Sequence, residues 1–168
     1  MVRILPLLIL AMVVLGCMPG PRSGVPSASP VVASQTVTPT GSFLTIAEAG
    51  EAYFAAADPY NEAVDRTQAK YRTPTSLEDH QRYWALIAKA DEAFIAGLKK
   101  IAFPPELQAD AAVLIKAEEA FHQRAVVTSR ARSLPEVISL SAVANAAAEV
   151  AAKKAAILRE ALGLEPIG

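Results

Sequence analysis

The stretch that decides the fold runs from residue 45 to residue 71 and reads TIAEAGEAYFAAADPYNEAVDRTQAKY. Alanine is abundant in it, and polar and apolar residues do not alternate with a period of two, so the sequence favours helix over strand. Small and apolar residues instead recur with a three-four spacing, which predicts that one face of this helix turns inward. That face consists of Ile46, Gly50, Tyr53, Ala57, Tyr60, Val64, Thr67 and Tyr71.

The residues Asp58 and Pro59 interrupt the pattern of this first helix. An interior proline removes a backbone hydrogen bond and clashes with the preceding turn, at a cost of about 3 kcal/mol. Asp58 is suited to cap a restarted helix with Pro59 at its first position. The sequence therefore predicts a kink or a break at this point.

Three predicted helix starts share a Ser/Thr-x-x-Glu signature. In such a capping box the hydroxyl accepts a hydrogen bond from the backbone amide of the glutamate, whose side chain reaches back to the amide of the capping residue. The three pairs are Thr45 with Glu48, Thr75 with Glu78, and Ser133 with Glu136. The remaining start, at Pro104-Pro105-Glu106, uses proline where its missing N–H costs nothing, and the last helix is expected to end at Gly163.

These signals define four helices over residues 45–72, 76–102, 105–132 and 134–162. Because their connections are short, consecutive helices should be antiparallel, so the sequence predicts an all-α fold, an up-down-up-down four-helix bundle over residues 43–168. The alanines of the last helix are expected to let it pack closely against the aromatic residues of the first two. The inward residues of helices two and three are predicted to be Leu77, Trp84, Ile87, Phe94, Leu98, Ile101, Leu107, Ala111, Leu114, Phe121 and Ala125. Those of helix four are predicted to be Leu140, Val143, Ala147, Val150, Leu158 and Ala161.

Several polar side chains project onto the apolar faces when each helix is drawn at about 100° per residue. Folding the helices back at their connections brings Asp91, Glu118 and Tyr60 to one level of the bundle, with Lys154 and Tyr53 within about two turns. His122 lies at the edge of the same face. The sequence therefore predicts a polar cluster inside the bundle, formed by Asp91, Glu118, Lys154, Tyr60, Tyr53 and His122.

Two interpretations of this cluster remain open. In the first it is structural, and Lys154 bridges Asp91 and Glu118, because buried charges are costly unless they are paired. In the second it is a pocket for a small ligand, or for a single metal ion held by Asp91, Glu118 and His122, although a neighbouring lysine opposes a cation. The Glu-x-x-His motif at Glu119 and His122 occurs once, whereas ferritin-like sites need two, so no metal or other cofactor is predicted.

Missing motifs and the charge balance argue against several classes of protein. No Gly-x-Ser-x-Gly elbow, phosphate loop or His-Glu-x-x-His motif occurs, so the chain is not predicted to be an enzyme. Beyond residue 16 there are 17 acidic residues and 15 basic ones, which are the 16 of the whole chain less Arg3. This near balance argues against a nucleic-acid partner. Basic residues gathered at one end of the predicted bundle are assigned to helix dipoles, with an anionic wall polymer or lipid as the functional alternative.

The first 16 residues form a predicted signal peptide. Arg3 precedes an apolar run from Ile4 to Leu15, which is shorter than the about 20 residues of a membrane-spanning helix. The run ends in Val14-Leu15-Gly16-Cys17, which resembles the lipobox of bacterial lipoproteins. The resemblance covers the leader alone, and it implies that Cys17, the only cysteine of the chain, is acylated and becomes the mature N-terminus. An ordinary signal peptide is the alternative.

Residues 17–42 are rich in proline, serine, threonine and glycine and carry one charge, Arg22, which predicts a flexible tether. The chain is therefore expected to be a lipoprotein held by acylated Cys17 in the plasma membrane, or in the outer membrane of a host with two membranes. Its predicted role is a non-enzymatic bundle that binds a protein or a small molecule outside the cytoplasm. The alternative is a bundle that binds a small ligand or a metal ion through the polar cluster.

Overall fold

The computed structural model describes residues 42–165, which belong to one compact unit. It contains four α-helices, α1 Ile46–Lys70, α2 Leu77–Leu98, α3 Gln108–Thr128 and α4 Leu134–Ala161, with a 3₁₀ turn at Pro105–Leu107 ahead of α3. Each helix packs against the next one, and no strand occurs in residues 42–165. The predicted all-α, up-down-up-down four-helix bundle is therefore confirmed. The predicted signal peptide, Cys17 and the tether before residue 42 lie outside the described residues.

Local hydrogen bonds start α1 and α4 where the sequence predicts them. The backbone N of Glu48 donates to Thr45 Oγ1 at 3.3 Å, and the N of Thr45 donates to Glu48 Oε2 at 2.8 Å, which completes the capping box. At α4 the N of Glu136 donates to Ser133 Oγ at 3.3 Å, and the N of Arg132 donates to Glu136 Oε2 at 2.7 Å. Both helices thus begin with amides that side chains satisfy.

The cap of α2 lies one residue later than predicted. Ser76 is the capping residue, because its Oγ accepts from the N of Asp79 at 3.1 Å. Serine caps helices somewhat better than threonine, and Glu78 is engaged in an exposed ion pair with Arg82. The predicted pair of Thr75 and Glu78 is therefore wrong by one position.

Helix α1 continues through Pro59. Tyr53 and Tyr60, on either side of the proline, both pack on Phe94 of α2, with ring centroids 6.1 and 5.0 Å apart. This packing holds both halves against α2 and offsets the about 3 kcal/mol that an interior proline costs. The predicted break with a cap at Asp58 is therefore wrong, whereas the kink stays a prediction.

Helix α4 turns a different face to the core than the sequence suggested. Val143 and Val150, predicted to point inward, are 47% and 51% exposed, whereas their neighbours Ala144 and Ala151 are buried. Alanine dominates this helix, so its few larger apolar residues do not mark the core side. By length and composition α4 is the one described helix that could cross a membrane, but here it packs as a wall of the bundle.

The inward faces of the other helices agree well with the prediction. In α1, Tyr53 and Ala57 are buried. All five residues predicted for the third helix are buried, and so are four of those predicted for α2, namely Trp84, Ile87, Phe94 and Leu98. Ile46 is an exception, since it lies 42% exposed at the start of α1. Two core clusters, one towards each end of the bundle, result from this arrangement.

Helices α1 and α4 meet closely at one end only. A Cβ atom on Gly50 of α1 would lie 3.3 Å from Leu164, directly after α4, so only glycine allows this approach without a shift. The chain reaches that position because Gly163 adopts a φ of 70°, and the N of Leu164 donates to the carbonyl of Arg159 at 2.9 Å. Elsewhere α1 and α4 share less contact than the other neighbouring helices of residues 42–165, which leaves a cleft between them.

Candidate functional site

Two carboxyl groups, Asp91 of α2 and Glu118 of α3, are buried in the middle of the bundle. Asp91 is 0% exposed and Glu118 is 4% exposed. Each occupies a core position, four residues after an aliphatic side chain and three before an aromatic one, so helical spacing forces it inward. Ile87 and Phe94 flank Asp91, and Leu114 and Phe121 flank Glu118. The sequence prediction that these two residues lie inside the bundle is correct.

Burial raises the pKa of both carboxyl groups far above the usual range. For Asp91 desolvation is the largest cause, followed by repulsion from Glu118, and for Glu118 desolvation outweighs the opposing hydrogen bond with Asp91. No N–H or hydroxyl group in the described part of the chain donates to either carboxyl oxygen of Asp91. Glu118 is the ionisable group that acts on it, so the two carboxyl groups titrate as an interacting pair that shares the protons it holds. Because the pKa values of Asp91 and Glu118 are raised to about 8 and about 7, the pair keeps at least one shared proton near neutral pH and carries at most about one negative charge.

The two predicted tyrosines border the carboxyl pair. The ring of Tyr60 stacks on Phe94 at 5.0 Å, and burial together with the charges of Glu118 and Asp91 raises the pKa of its hydroxyl. Burial also raises the pKa of Tyr53, while the neighbouring Arg159 acts in the opposite direction. Both hydroxyls are therefore neutral groups that can donate and accept hydrogen bonds.

His122 lies behind Asp91. Its Nδ1 is 3.1 Å from the carbonyl oxygen of Ala88 and 3.8 Å from Asp91 Oδ2. The carbonyl can only accept, so Nδ1 carries the proton. That nitrogen is not free to ligate a metal, and no group of three potential metal ligands is assembled among residues 42–165. The three-residue metal site considered from the sequence is therefore not formed.

The predicted lysine does not join the cluster. Lys154 is half-buried at the flank of α4, and no ion pair connects it to Asp91 or Glu118. The predicted Lys154 bridge is therefore wrong, because the inward face of α4 follows Ala144 and Ala151 rather than the valines. The same rotation brings Arg159 inward, which the sequence analysis missed.

Arg159 is a buried cation without a carboxylate partner in the described residues. Its side chain is 8% exposed, and its guanidinium lies over the rings of Tyr53 at 5.8 Å and Phe54 at 5.3 Å. Nη2 donates to the carbonyl oxygen of Glu165 at 2.6 Å, and Nε has no partner. The aromatic rings and this carbonyl fix the guanidinium in place without neutralising its charge.

These groups line a cavity of about 200 Å³ between α1 and α4. Aromatic rings from α1, α2 and α3 form its walls, and Glu118 and Arg159 supply its charges. Its α4 side consists of alanines, whose short side chains cannot fill the space opposite the tyrosines. The expected close packing of α4 against the aromatic residues is thus wrong at this level, and the cavity is its consequence. The lining residues are Tyr53, Ala57, Tyr60, Asn61, Phe94, Glu118, Phe121, Ala148, Ala151, Ala152, Ala155 and Arg159.

A second, more open cleft of about 570 Å³ lies near the connection between α1 and α2. It is lined in part by Tyr71, His80 and Trp84. Trp84 Nε1 donates to Ser141 Oγ at 2.8 Å, and Ser141 in turn donates to the carbonyl of Val137 at 2.6 Å. Because this side-chain network is internally satisfied, the mid-bundle cavity is the stronger candidate site.

Comparison with known proteins gives no match: no family model, no curated protein and no solved structure is detectably similar to this chain. The four-helix bundle supports many functions, so the fold does not indicate one. The chemistry of the cavity is therefore the feature that bears on function.

Proposed function

We propose that this chain is a lipid-anchored, extracytoplasmic protein whose helical bundle binds a small ligand in the cavity between α1 and α4. The observation that carries this proposal is a cavity lined by Glu118 and Arg159, two ionisable side chains of opposite sign that form no ion pair with each other. Leaving a charge buried without a partner is strongly destabilising. Such groups are retained where a ligand completes the pairing, and they are typical of binding sites.

A purely structural network is the competing explanation, and the geometry disfavours it. A structural network places its cation against its anions, as Lys99 and Glu119 do on the surface at 2.6 Å. Arg159 instead lies on two aromatic rings and makes no ion pair within residues 42–165. The cavity therefore separates the opposite charges that a structural bridge would join.

The cavity also favours binding over catalysis. No serine, cysteine or histidine side chain lines it, so a nucleophile activated by a neighbouring base is missing from the described lining. Asp91 is 0% exposed, which keeps one member of the carboxyl pair from contact with a substrate. The proposed role is therefore a non-enzymatic one.

The proposed location rests on the leader. The resemblance of residues 14–17 to a lipobox supports acylation of Cys17, and membrane lipid is then the first partner of the chain. The following tether would hold the bundle outside the plasma membrane or on the outer membrane. A binding domain displayed there meets solutes before they enter the cytoplasm.

A protein-binding role is the second candidate function. Val143, Val150 and Ile157 recur every seven residues along one side of α4 and are 47%, 51% and 47% exposed. Apolar residues in this spacing are typical of a helix face that meets a partner. This role does not use the cavity, so the experiment below separates the two.

The test is native mass spectrometry of the full chain, purified in detergent from its own host without a histidine tag. The wild-type protein is expected to carry a small molecule in stoichiometric amount. Ala148→Leu, which extends a side chain into the cavity, should lose it, whereas Ala146→Leu on the exposed side of α4 should keep it. An empty wild-type protein, together with a more stable Ala148→Leu variant, would identify the cavity as a mere packing defect and overturn the proposal.

A further inference from the structure

We infer that the ligand of this cavity is a compact zwitterion, whose ammonium group pairs with Glu118, the cavity-facing member of the carboxyl pair, and whose carboxylate pairs with Arg159. This inference rests on the proposed function, because it names the chemical class that the same cavity would bind. It follows from three properties of the cavity: its size, the chemistry of its two charged groups, and the cost of leaving either group unpaired.

The size of the cavity limits the ligand. Its volume of about 200 Å³ lies below the about 300 Å³ at which pockets for drug-sized molecules begin. The cavity therefore holds a molecule of about ten non-hydrogen atoms or fewer. Four aromatic rings, from Tyr53, Tyr60, Phe94 and Phe121, face this space, so the body of the ligand is apolar or positively charged.

The carboxyl pair suits an ammonium group. Glu118 reaches the cavity while Asp91 lies behind it, and no N–H or hydroxyl group of the described residues donates to Asp91. An ammonium group offers three N–H donors, which suit the carboxyl oxygens that Glu118 presents to the cavity. The ring of Tyr60 beside the pair adds attraction for a cation. A neutral ligand would leave the negative charge of the pair without a partner.

Arg159 suits a carboxylate group. Its planar guanidinium presents several N–H donors in a fork that matches the two oxygens of a carboxylate; Nη2 donates to the carbonyl of Glu165, and Nε has no partner among the described residues. The contacts with Tyr53, Phe54 and the carbonyl of Glu165 hold this fork before any ligand arrives. A preorganised donor loses less entropy on binding, which raises affinity for an anion of matching shape.

A ligand with one charge would satisfy one side of the cavity and disturb the other. An amine leaves Arg159 without an ion-pair partner among residues 42–165 and adds a second cation, and a carboxylic acid adds an anion beside Glu118. A zwitterion pairs both groups and leaves the net charge of the cavity unchanged, so it avoids the cost of an uncompensated buried charge. The zwitterion is thus the class that the two charged groups select.

The test is isothermal titration calorimetry on the full chain in detergent, with two matched sets of probes. One set contains leucine with isoamylamine and isocaproate, and the other contains ε-aminocaproate with hexylamine and caproate, so that each zwitterion is compared with molecules that lack one of its charges. At least one zwitterion is expected to bind about tenfold or more tightly than both of its single-charge relatives. The same ranking in the thermal shift of the wild-type protein would support the inference without any variant.

Substitutions at Glu118 and Arg159 test whether these two residues bind the charged groups of the zwitterion. Glu118→Gln and Arg159→Gln should each weaken binding of the zwitterion about tenfold or more, and the exposed controls Glu119→Gln and Arg124→Gln should leave it unchanged. If Arg159→Gln does not fold, Arg159→Lys keeps the charge but removes the fork, and it should still weaken binding.

The outcomes separate this inference from the proposed function. If an amine or an acid binds as tightly as the zwitterion, or if the molecule that co-purifies with the protein carries one charge or none, the inference fails and the function stands. If no probe binds and nothing co-purifies, both fail. A co-purifying zwitterion supports both, even if it differs from the probes.

Discussion

The shared proton of the carboxyl pair predicts a specific dependence of stability on pH. The pKa of Asp91 is raised to about 8 and that of Glu118 to about 7, whereas unfolded carboxyls titrate near 4. Between about pH 5 and pH 7 the folded protein therefore binds at least one proton that the unfolded chain has released. The stability contributed by this proton is fully present below the pKa of the unfolded carboxyls and is lost as the pH rises through the raised pKa values.

The magnitude follows from linkage. One extra proton in the folded state lowers the free energy of unfolding by about 1.4 kcal/mol for each pH unit, so raising the pH from about 5 to 7 lowers it by about 3 kcal/mol. Asp91→Asn keeps the shape of the side chain and supplies the hydrogen-bond donor that the shared proton provided. We therefore expect this variant to be more stable than the wild type at pH 7, by roughly 1–3 kcal/mol, and nearly equal to it at pH 5.

The assay is urea unfolding of the full chain followed by circular dichroism at both pH values. Glu119→Gln is the matched control, because it also converts an acid to an amide, but at a position on the surface. A His122→Gln variant controls for the imidazole, whose Nδ1 lies 3.8 Å from Asp91 Oδ2. A wild-type protein as stable at pH 7 as at pH 5, or an Asp91→Asn variant that is less stable at pH 7, would refute the shared proton.

Three further predictions test the fold and the anchor. Ser76→Ala should lower the free energy of unfolding by about 1 kcal/mol and Thr75→Ala by much less, and equal losses in urea unfolding would contradict the observed cap. Val137→Ala, at a position 0% exposed, should cost about 1–3 kcal/mol, whereas Val150→Ala should change stability by less than about 0.5 kcal/mol; the opposite order would restore the predicted face of α4. Cys17→Ser should move the protein from the membrane to the soluble fraction after cell fractionation, and unchanged retention would refute acylation.

The helices were predictable because their signals are local. A hydroxyl and a glutamate three residues apart specify the start of α1, and Gly163 specifies the end of α4, whatever the rest of the chain does. The cap of α2 was predicted one position early because Thr75 and Ser76 are adjacent and each has an acidic residue three positions later. The local sequence does not distinguish between two adjacent capping residues of this kind, whereas in the folded chain only Ser76 caps α2.

The face of α4 was not predictable because it depends on packing between helices. The inward position of Asp91 and Glu118 is correctly predicted, since strongly hydrophobic residues lie one helical turn before and after each of them. In α4 the contrast is weak, and a rotation of about one residue replaces Lys154 by Arg159 as the inward cation. The inward position of Arg159 could have been predicted from the sequence only by placing Ala144 and Ala151, and not the valines, on the inward face of α4.

The path of α1 across Pro59 was misjudged for a related reason. The cost of an interior proline is visible in the sequence, but the stacking of Tyr60 on Phe94 that offsets it joins residues 34 positions apart. The cavity itself has the same origin, because it exists only where the aromatic residues of α1 happen to face alanines of α4. Sequence analysis thus found the acidic half of the site and missed the cavity and its basic half.

A crystal structure of the full chain, purified from its own host, would show directly whether the cavity holds a ligand. We expect electron density for a small molecule between α1 and α4, in contact with Glu118 on one side and the guanidinium of Arg159 on the other. A cavity that holds only water, or an Arg159 side chain turned to form an ion pair with Glu118, would contradict it.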